Sequence, residues 1–197
     1  MTGPEAFDLS PEEAAPSLLG WTFGLGECGV RIVETEAYGD QSDEASHARP
    51  GRTERNQAMF GTPGILYVYR SYGIHWCVNL VVGPEGQAGA VLLRAGEPIA
   101  GIEAMWQRRP AARRITDLAS GPGKLCGAIG LDGSSNGDKP ALLTAGALVP
   151  KGTWLAPPAA RIGSVVVGTR VGISRATERR WRFSILDNDH VSTARGA

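Results

Sequence analysis

The amino-acid sequence predicts a single domain of the α+β class, in which strands and short helices share one core. Stretches with the period-two alternation of half-buried strands occur along most of the chain, whereas helical spacing of apolar residues is confined to short segments. The hydrophobic fraction of 42% is enough for one core, and no repeat or linker divides residues 1–197. The 27 glycines and 13 prolines indicate many turns.

The N-terminal part predicts a helix and then a β-hairpin. Ser10–Glu13 has a capping-box pattern with Pro at the first helical position, so we expect a helix from about residue 11 to 19, ended by Gly20. Residues 21–33 form one or two predicted strands, interrupted by Gly24-Leu25-Gly26. This pattern favours a hairpin that leads into the next strand.

The stretch from Val30 to Tyr38 is the one around which the rest of the chain is organised. Strict alternation places five side chains on one face, which begins apolar and ends in two carboxylates and a ring: Val30, Ile32, Glu34, Glu36 and Tyr38. Such a face aims polar groups at a ligand. The alternative is a strand that leaves the core and exposes Glu36 to solvent, as is common for Glu.

The next segment predicts a polar loop and a short helix. Loop 39–51 contains His47, a residue type that is usually at the surface when it stands alone in a loop. Thr53 is expected to cap a short helix that Gly61 ends.

Residues 65–82 predict a β-hairpin, because alternating stretches flank a turn at Ser71-Tyr72-Gly73. Tyr72 is unusual in a turn, where small or polar residues prevail. Its ring either lies back on the hairpin or protrudes as a wedge. Asn79 interrupts an apolar strand, and if buried it needs hydrogen-bond partners or a ligand.

Positively charged features follow the hairpin. Arg94 interrupts an apolar strand from Ala90 to Ala95, where a guanidinium requires an anion. A helix is expected from Glu97 to about Arg109, ending in a basic cluster that is either solvated or in contact with phosphate: Arg108, Arg109, Arg113 and Arg114. The Gly-rich stretch Ser120–Lys124 begins another predicted helix, whose free N–H groups can hold a phosphate.

The C-terminal part is less regular. Residues 132–160 predict an irregular loop segment with at most short strands, mobile near Gly133 to Pro140. The last strands are expected at residues 164–173 and 180–186, and residues 190–197 form a predicted loose tail.

Composition narrows the classes of protein. Three scattered cysteines without a C-x-x-C pattern, Cys28, Cys77 and Cys126, predict neither a disulfide framework nor a zinc site. We expect a reduced, cytoplasmic protein, associated with the nucleoid if the source is bacterial. No apolar run approaches the ~20 residues of a membrane span, and the first residues lack the pattern of a signal peptide.

Charge is balanced overall but unevenly distributed. Residues 1–46 contain ten acids and one base, residues 47–126 contain ten bases and five acids, and residues 127–197 contain nine bases and five acids. These differences of −9, +5 and +4 sum to zero. The distribution is compatible with a basic side that binds a phosphate backbone, and equally with ordinary mixed surface charge.

Five motifs in order resemble the 3-methyladenine (alkyladenine) DNA glycosylase family. They are R-I-V-E-T-E-A-Y at 31–38, His47, R-N-Q-A-M-F-G-T-P-G-I-L-Y-V-Y-R-S-Y-G-I-H-W-C-V-N-L at 55–80, V-L-L-R-A-G-E-P at 91–98 and S-G-P-G-K-L-C at 120–126. The resemblance is dense from Val30 to Ile129 and weaker through R-V-G-I at 170–173 and W-R-F at 181–183. It is slight in the N-terminal helix and in residues 132–160.

The resemblance implies a domain around a curved antiparallel sheet flanked by short helices, with a protruding hairpin. It implies a monofunctional enzyme of base excision repair that hydrolyses the N-glycosidic bond of alkylated or deaminated purines. Its expected substrates are 3-methyladenine, 7-methylguanine, hypoxanthine and ethenoadenine in damaged double-stranded DNA. The base is flipped into a pocket, because it is unreachable inside a duplex. The protein is expected to be a monomer without metal or organic cofactor.

Two residues acquire catalytic roles from the resemblance. Glu36 corresponds to the general base that deprotonates a water attacking the sugar C1′ carbon, and its charge stabilises the cationic sugar. Arg94 corresponds to the arginine that holds this water and the carboxylate, and is expected to keep Glu36 ionised. Val171 corresponds to a residue whose backbone carbonyl also binds the water.

The remaining site residues contact base or DNA in this interpretation. Tyr38, His47 and Tyr69 form aromatic walls that favour a cationic purine, by ~1–2 kcal/mol when desolvated. Asn79 at the pocket floor crowds the exocyclic amine of normal guanine. The DNA-binding residues are Tyr72, which fills the gap left by the flipped nucleotide, His75, and Lys124, which contacts phosphate.

One position departs from the family. Ile74-His75 follow the wedge where larger or aromatic side chains are frequent, so the grip on flanking bases is expected to differ and to depend on pH through His75. No lysine is assigned to a Schiff base, so strand cleavage is not expected. Two other functions use the same residues: a non-catalytic nucleic-acid-binding module with a stacking platform, and a hydrolase of free nucleosides.

Overall fold

The computed structural model describes residues 4–144 and 147–192 of the chain. In this part the protein forms one curled mixed sheet of nine strands, a half-barrel, with three α-helices. The predicted α+β class is confirmed. The elements in chain order are α1 (Pro11–Ser17), β1 (Thr22–Leu25), β2 (Cys28–Tyr38), β3 (Leu66–Ser71), β4 (His75–Val81), β5 (Ala90–Ala100), α2 (Ile102–Arg108), α3 (Pro122–Ile129), β6 (Ala141–Leu142), β7 (Thr153–Ala156), β8 (Val165–Gly168) and β9 (Arg182–Ile185).

Strand β2 is the centre of the sheet. The main order is β3-β4-β5-β2-β1-β7-β6, and β5 pairs with β2 over nearly its whole length. The other edge of β2 pairs first with β1 and then, from Glu34 to Glu36, with β9, which in turn pairs with β8. The pairs are antiparallel except for β6 and β7, which run parallel. The expectation of a purely antiparallel sheet is corrected at this edge.

Pairing between β2 and β5 is irregular where the polar part of β2 begins. The register shifts twice between Ile32 and Thr35, so that Val33 is an extra residue on β2 and Arg94 an extra residue on β5. β-Bulges of this kind bend the strand and re-aim side chains, and they are frequent next to active sites.

These bulges make the predicted single face of β2 wrong. Glu34 and Glu36 both contact Arg94. Val30 and Ile32, which precede the bulge, lie instead in the main core, as does Ala37, which follows it. The extra residue Val33 reverses the parity of the alternation. The carboxylates therefore face the opposite side of the sheet from the apolar residues that precede them.

The hairpin of β3 and β4 is confirmed, with Leu66 opposite Leu80 and Ser71 opposite His75. Tyr72, Gly73 and Ile74 form the turn between them. Tyr72 adopts a left-handed backbone conformation (φ 49°), as does Gly73 (φ 68°). The Tyr72 side chain is 88% exposed, so it protrudes and does not lie back on the hairpin.

Three local predictions need correction. Strand β5 continues through Pro98 to Ala100, so α2 begins at Ile102 and not at Glu97. Pairing with β2 and a salt bridge from Arg31 to Glu97 hold this extension in the sheet. Thr53 does not cap a helix directly: it exchanges hydrogen bonds with Asn56, after which a 3₁₀ turn runs from Gln57 to Phe60 and ends at Gly61 as predicted.

The helices pack on the core side of the sheet. In α1, Ser10 donates its hydroxyl to the Glu13 carboxylate (2.7 Å) and does not cap a backbone N–H, so the predicted capping box is incomplete. The Thr35 hydroxyl donates to the Ala15 carbonyl (2.8 Å), which joins α1 to β2. Helix α3 begins at the Gly-rich stretch as predicted and turns its apolar residues inward: Leu125, Cys126, Ala128 and Ile129.

The C-terminal third adds the outer strands. The stretch near Gly133 to Pro140, predicted to be mobile, hydrogen bonds to the free edge of β3 through the Asn136 side chain and the Asp138 carbonyl. Strands β8 and β9 confirm the last two predicted strands over shorter ranges. Most of the predicted loose tail lies outside the described residues, although Ser192 is buried and its N–H donates to Glu34 (2.9 Å).

Candidate active site

Seven of the predicted site residues line a single cavity of about 430 Å³: Tyr38, His47, Tyr69, Tyr72, Asn79, Arg94 and Val171. The cavity opens beside the hairpin turn, because Tyr72 also lines it. Its walls come from β2, β3, β4 and β5, the loop after β2 and the loop after β8. This volume is in the range of small-molecule sites and is adequate for one purine base.

Glu36 does not itself line this cavity: it is fully buried, in contact with three residues that do, Tyr38, Arg94 and Val171. Its Oε2 accepts a hydrogen bond from the Tyr38 hydroxyl (2.9 Å), and its Oε1 accepts one from the Val171 backbone N–H (2.8 Å). A carboxylate offers about four lone-pair sites, so these two bonds fix its orientation and leave acceptor capacity for a water.

Strand pairing places Glu36 opposite the pocket floor. Leu92 of β5 pairs with Glu36 on one side and with Asn79 of β4 on the other, so the three residues form one row across three strands. Neighbouring strands are ~4.8 Å apart, so the two polar residues are separated by roughly 10 Å. Asn79 is buried, and its side-chain amide donates to the Tyr67 carbonyl (3.0 Å).

Arg94 joins the two carboxylates of β2. Its Nη1 lies 3.4 Å from Glu36 Oε1, and its Nε lies 3.3 Å from Glu34 Oε1. Glu34 is also buried, and Arg182 of β9 binds it at 3.2 Å. The bulge at Arg94 is what turns this side chain toward the same face as Glu36.

Burial raises the pKa of Glu36 above its ordinary value. Arg94, the Val171 N–H and the Tyr38 hydroxyl act in the opposite direction but only in part. Arg94 is expected to keep Glu36 ionised: its guanidinium favours the charged form as expected, and burial opposes it with the larger effect on the pKa. A raised pKa makes Glu36 a stronger base than an exposed glutamate.

The aromatic walls are uncharged. The His47 ring packs edge-on against Tyr69, with centroids 4.4 Å apart, and its Nδ1 lies 2.9 Å from the Tyr67 hydroxyl. Burial, assisted by Arg55, lowers the pKa of His47, so the ring is neutral at pH 7. Burial raises the pKa of Tyr67 to about 12 and also raises those of Tyr38 and Tyr69.

The predicted DNA-contacting residues lie around the mouth. Pro122 of α3 lines the cavity, and Lys124 in the same first turn donates to the Ser120 hydroxyl (3.3 Å). His75 is exposed and packs against Gly123, where an added Cβ would come within 2.7 Å of the His75 Cβ. The start of α3 and the hairpin therefore form one continuous rim.

Several residues of this region were not predicted. Glu34 contacts Arg94, Tyr67 contacts His47 and Asn79, and a buried pair between Arg170 and Asp43 lies against Tyr38. The only sequence signal for this pair is the position of its members: Arg170 precedes Val171, and Asp43 lies in the loop that contains His47. Of the predicted basic cluster, Arg108 is exposed to solvent and also donates to the Ala128 carbonyl (3.1 Å).

Other kinds of site are not evident in the described ranges. No group of three or more His, Cys, Asp or Glu side chains with the geometry of a metal site occurs in residues 4–144 and 147–192. Among the helices of that same part of the chain, none has both the length and the apolar character to cross a membrane.

Comparison with known proteins identifies the family. The family model described as Methylpurine-DNA glycosylase (MPG) matches residues 5–189. A protein of Nocardia farcinica is 45% identical over 97% of this chain and 90% of its own length, and one of Rhodopseudomonas palustris is 45% identical over 94% and 85%. One of Chlorobaculum parvum is 44% identical over 98% and 91%. All three are named "Putative 3-methyladenine DNA glycosylase". This chain belongs to the methylpurine-DNA glycosylase family, hydrolases that cleave N-glycosidic bonds in DNA.

Proposed function

We propose that this chain is a monofunctional glycosylase that flips alkylated or deaminated purines out of double-stranded DNA and excises them by hydrolysis. The substrates are 3-methyladenine, 7-methylguanine, hypoxanthine and ethenoadenine. The observation that carries the proposal is the position of Glu36: a buried carboxylate, oriented by hydrogen bonds from Tyr38 and Val171, both of which line a cavity walled by aromatic rings.

Entry of the base requires extrusion from the duplex. Tyr72 is the most exposed aromatic side chain of the hairpin turn and lines the cavity mouth. Its ring is placed to occupy the gap left in the base stack, as inserted side chains do in other complexes. Lys124 and the start of α3 on the same rim supply contacts to phosphates that position the duplex.

Hydrolysis then follows from the groups under the base. Glu36 takes a proton from a water whose oxygen bonds to C1′, and the electron pair of the N-glycosidic bond leaves with the base. Glu36 and Arg94 are close enough to share that water, and the Glu36 charge stabilises the positive charge that develops on the sugar. In the described part of the chain no lysine lines the cavity, which supports hydrolysis without a Schiff base.

Selection acts at the walls and floor of the cavity. Neutral rings at Tyr38, His47 and Tyr69 present electron-rich faces to a cationic purine. The side-chain amide of Asn79 donates a hydrogen bond to the Tyr67 carbonyl, and this bond holds Asn79 in place at the floor. This fixed side chain crowds the exocyclic amine of guanine, which hypoxanthine lacks.

The test is base release from single-lesion duplexes. Glu36→Gln should lower the single-turnover rate at least about a hundredfold, because it removes the general base while keeping the shape. Glu27→Gln, in the exposed turn between β1 and β2, is the control and should retain the rate. Thermal unfolding of both variants separates a catalytic loss from misfolding.

The outcomes separate the competing functions. An unchanged rate for Glu36→Gln would remove the catalytic role of this residue. A wild-type protein that binds lesion duplexes without releasing base would be a non-catalytic binding module. Release from free nucleosides that survives Tyr72→Ala would indicate a nucleoside hydrolase, because a wedge has no function without a duplex.

A further inference from the structure

Behind Tyr38, on the side away from the cavity, lies a fully buried ion pair. Arg170 and Asp43 form two parallel hydrogen bonds, from Nη1 to Oδ2 (2.6 Å) and from Nη2 to Oδ1 (2.8 Å). Both side chains are inaccessible to solvent. Neither residue lines the cavity. The two residues are 127 positions apart in sequence and meet only in the folded protein.

The Arg170 guanidinium is sandwiched between two rings. Its Cζ lies 4.8 Å from the centroid of Tyr38 and 5.2 Å from that of Trp181. Arg170 Nη1 also donates to the Ala37 carbonyl (3.0 Å), at the end of β2. Tyr38 therefore has a cation on its back face, while its ring also lines the cavity.

Asp43 cancels that charge and organises the adjoining loop. Its carboxylate accepts the Gly39 N–H (3.0 Å) and the Ala45 N–H (3.2 Å) besides the two bonds from Arg170. Burial alone would raise the pKa of Asp43, but the hydrogen bonds from Arg170 hold it below its ordinary value. Arginine is always protonated, so the pair as a whole is neutral.

We propose that the Asp43–Arg170 pair determines how strongly the cavity binds cationic purines relative to neutral ones, by keeping the back face of Tyr38 electrically neutral. The pair also positions Tyr38 and the loop that carries His47. This proposal rests on the proposed function, since it concerns the same cavity and the same lesions.

Electrostatics gives the direction in which the Arg170 charge affects binding of a cationic base. A base stacked on the front of Tyr38, about 4.5 Å from the ring, lies roughly 9 Å from the guanidinium. An uncompensated cation at that distance weakens binding of a positively charged base roughly fivefold at an effective dielectric constant of about 40. A neutral base is almost unaffected. The front face of Tyr38 attracts cations only while Asp43 is ionised behind it.

Asp43→Asn isolates this effect, because it leaves Arg170 charged and nearly preserves the shape. The measurement is the half-saturating enzyme concentration in single-turnover excision from two duplexes, one with 7-methylguanine, which is cationic, and one with hypoxanthine, which is neutral. The ratio of the half-saturating concentration for 7-methylguanine to that for hypoxanthine should rise roughly fivefold in the variant. Effects on folding, on Glu36 or on the loop act on both duplexes and cancel in the ratio.

A second variant keeps the test decisive if the first is unstable. Asp43→Asn/Arg170→Gln removes both charges and should return the ratio to the wild-type value, although absolute binding weakens. An unchanged ratio in Asp43→Asn, or a ratio that stays raised in the double variant, would overturn the proposal. If the wild-type protein released neither base, the proposed function would fail instead, so the two failures are distinguishable.

Discussion

Glu36 is a carboxylate whose chemistry is set by the lack of solvent around it. Because burial raises its pKa, the active, deprotonated form is lost at a higher pH than for an exposed glutamate. We expect the rate of hypoxanthine release to fall with decreasing pH through a midpoint above 4.5, the ordinary value. Single-turnover rates between pH 4 and 9 locate this midpoint.

Arg94 provides the control for that pH profile. Its guanidinium lowers the pKa of Glu36, so Arg94→Met should move the acid limb to still higher pH besides lowering the maximal rate. A limb that stays in place in Arg94→Met, or that lies near pH 4.5 in the wild type, would contradict the assignment of Glu36 as the titrating base.

The motifs that carry the family resemblance led to seven of the residues that line the pocket. Tyr38, His47 and Asn79 line one cavity although they come from different elements, and it was the resemblance that assigned them to one pocket. Arg170 and Asp43 were missed because their partnership depends on contacts over 127 residues, which local patterns do not reveal. The catalytic and binding roles of the predicted site residues are proposals.

The bulges of β2 and β5 show where element-level prediction failed. Simple alternation assumes one residue opposite one residue, and it gave the correct faces for β3 and β4, which pair regularly. Val33 and Arg94 are extra residues, so alternation failed in the strand that carries Glu36. The deviation is physical: it places carboxylates on the pocket side of a strand whose earlier half is committed to the core.

The hairpin turn carries backbone strain in the residue proposed to enter DNA. A left-handed conformation costs a non-glycine residue about 1–2 kcal/mol, and the exposed Tyr72 ring recovers little by packing. Tyr72→Gly should therefore raise the free energy of unfolding by about 0.5–1 kcal/mol, after the entropy of glycine is subtracted. The same variant should lose excision from duplex DNA. Urea unfolding and single-turnover kinetics measure the two effects.

Tyr72→Ala separates the contributions of ring and backbone. It lacks the wedge but keeps the left-handed strain, so excision from duplex should fall equally while stability stays near that of the wild type. Excision of a lesion from single-stranded DNA should survive in both variants. Loss on single strands would show that the ring contributes to the pocket and not to the duplex.

On the scale of the whole molecule, the charge asymmetry of the sequence overstates that of the surface. Three of the ten acids in residues 1–46 are buried: Glu34, Glu36 and Asp43. Each is paired with an arginine from a later part of the chain. These three acids thus serve as internal counter-charges, and the other seven acids of this segment are not among the buried residues.

The salt dependence of binding to duplex DNA should reveal whether Lys124 contacts a phosphate. Lys124→Gln is expected to reduce the slope of log affinity against log salt concentration by about 1, because one phosphate contact is lost. Lys151→Gln, an exposed lysine near the turn between β1 and β2, serves as the matched control and should leave the slope unchanged. Equal slopes for Lys124→Gln and the wild type would exclude a phosphate contact by Lys124.

Strand β9 has a consequence for how the enzyme comes into being. It pairs with Glu34 to Glu36 and brings Arg182, while Val171 and Ser192 donate to the same two acids. During synthesis, Glu34 and Glu36 therefore lack these partners until the segment from Val171 to Ser192 has emerged from the ribosome. The surroundings of the two carboxylates can be completed only after that segment has been made.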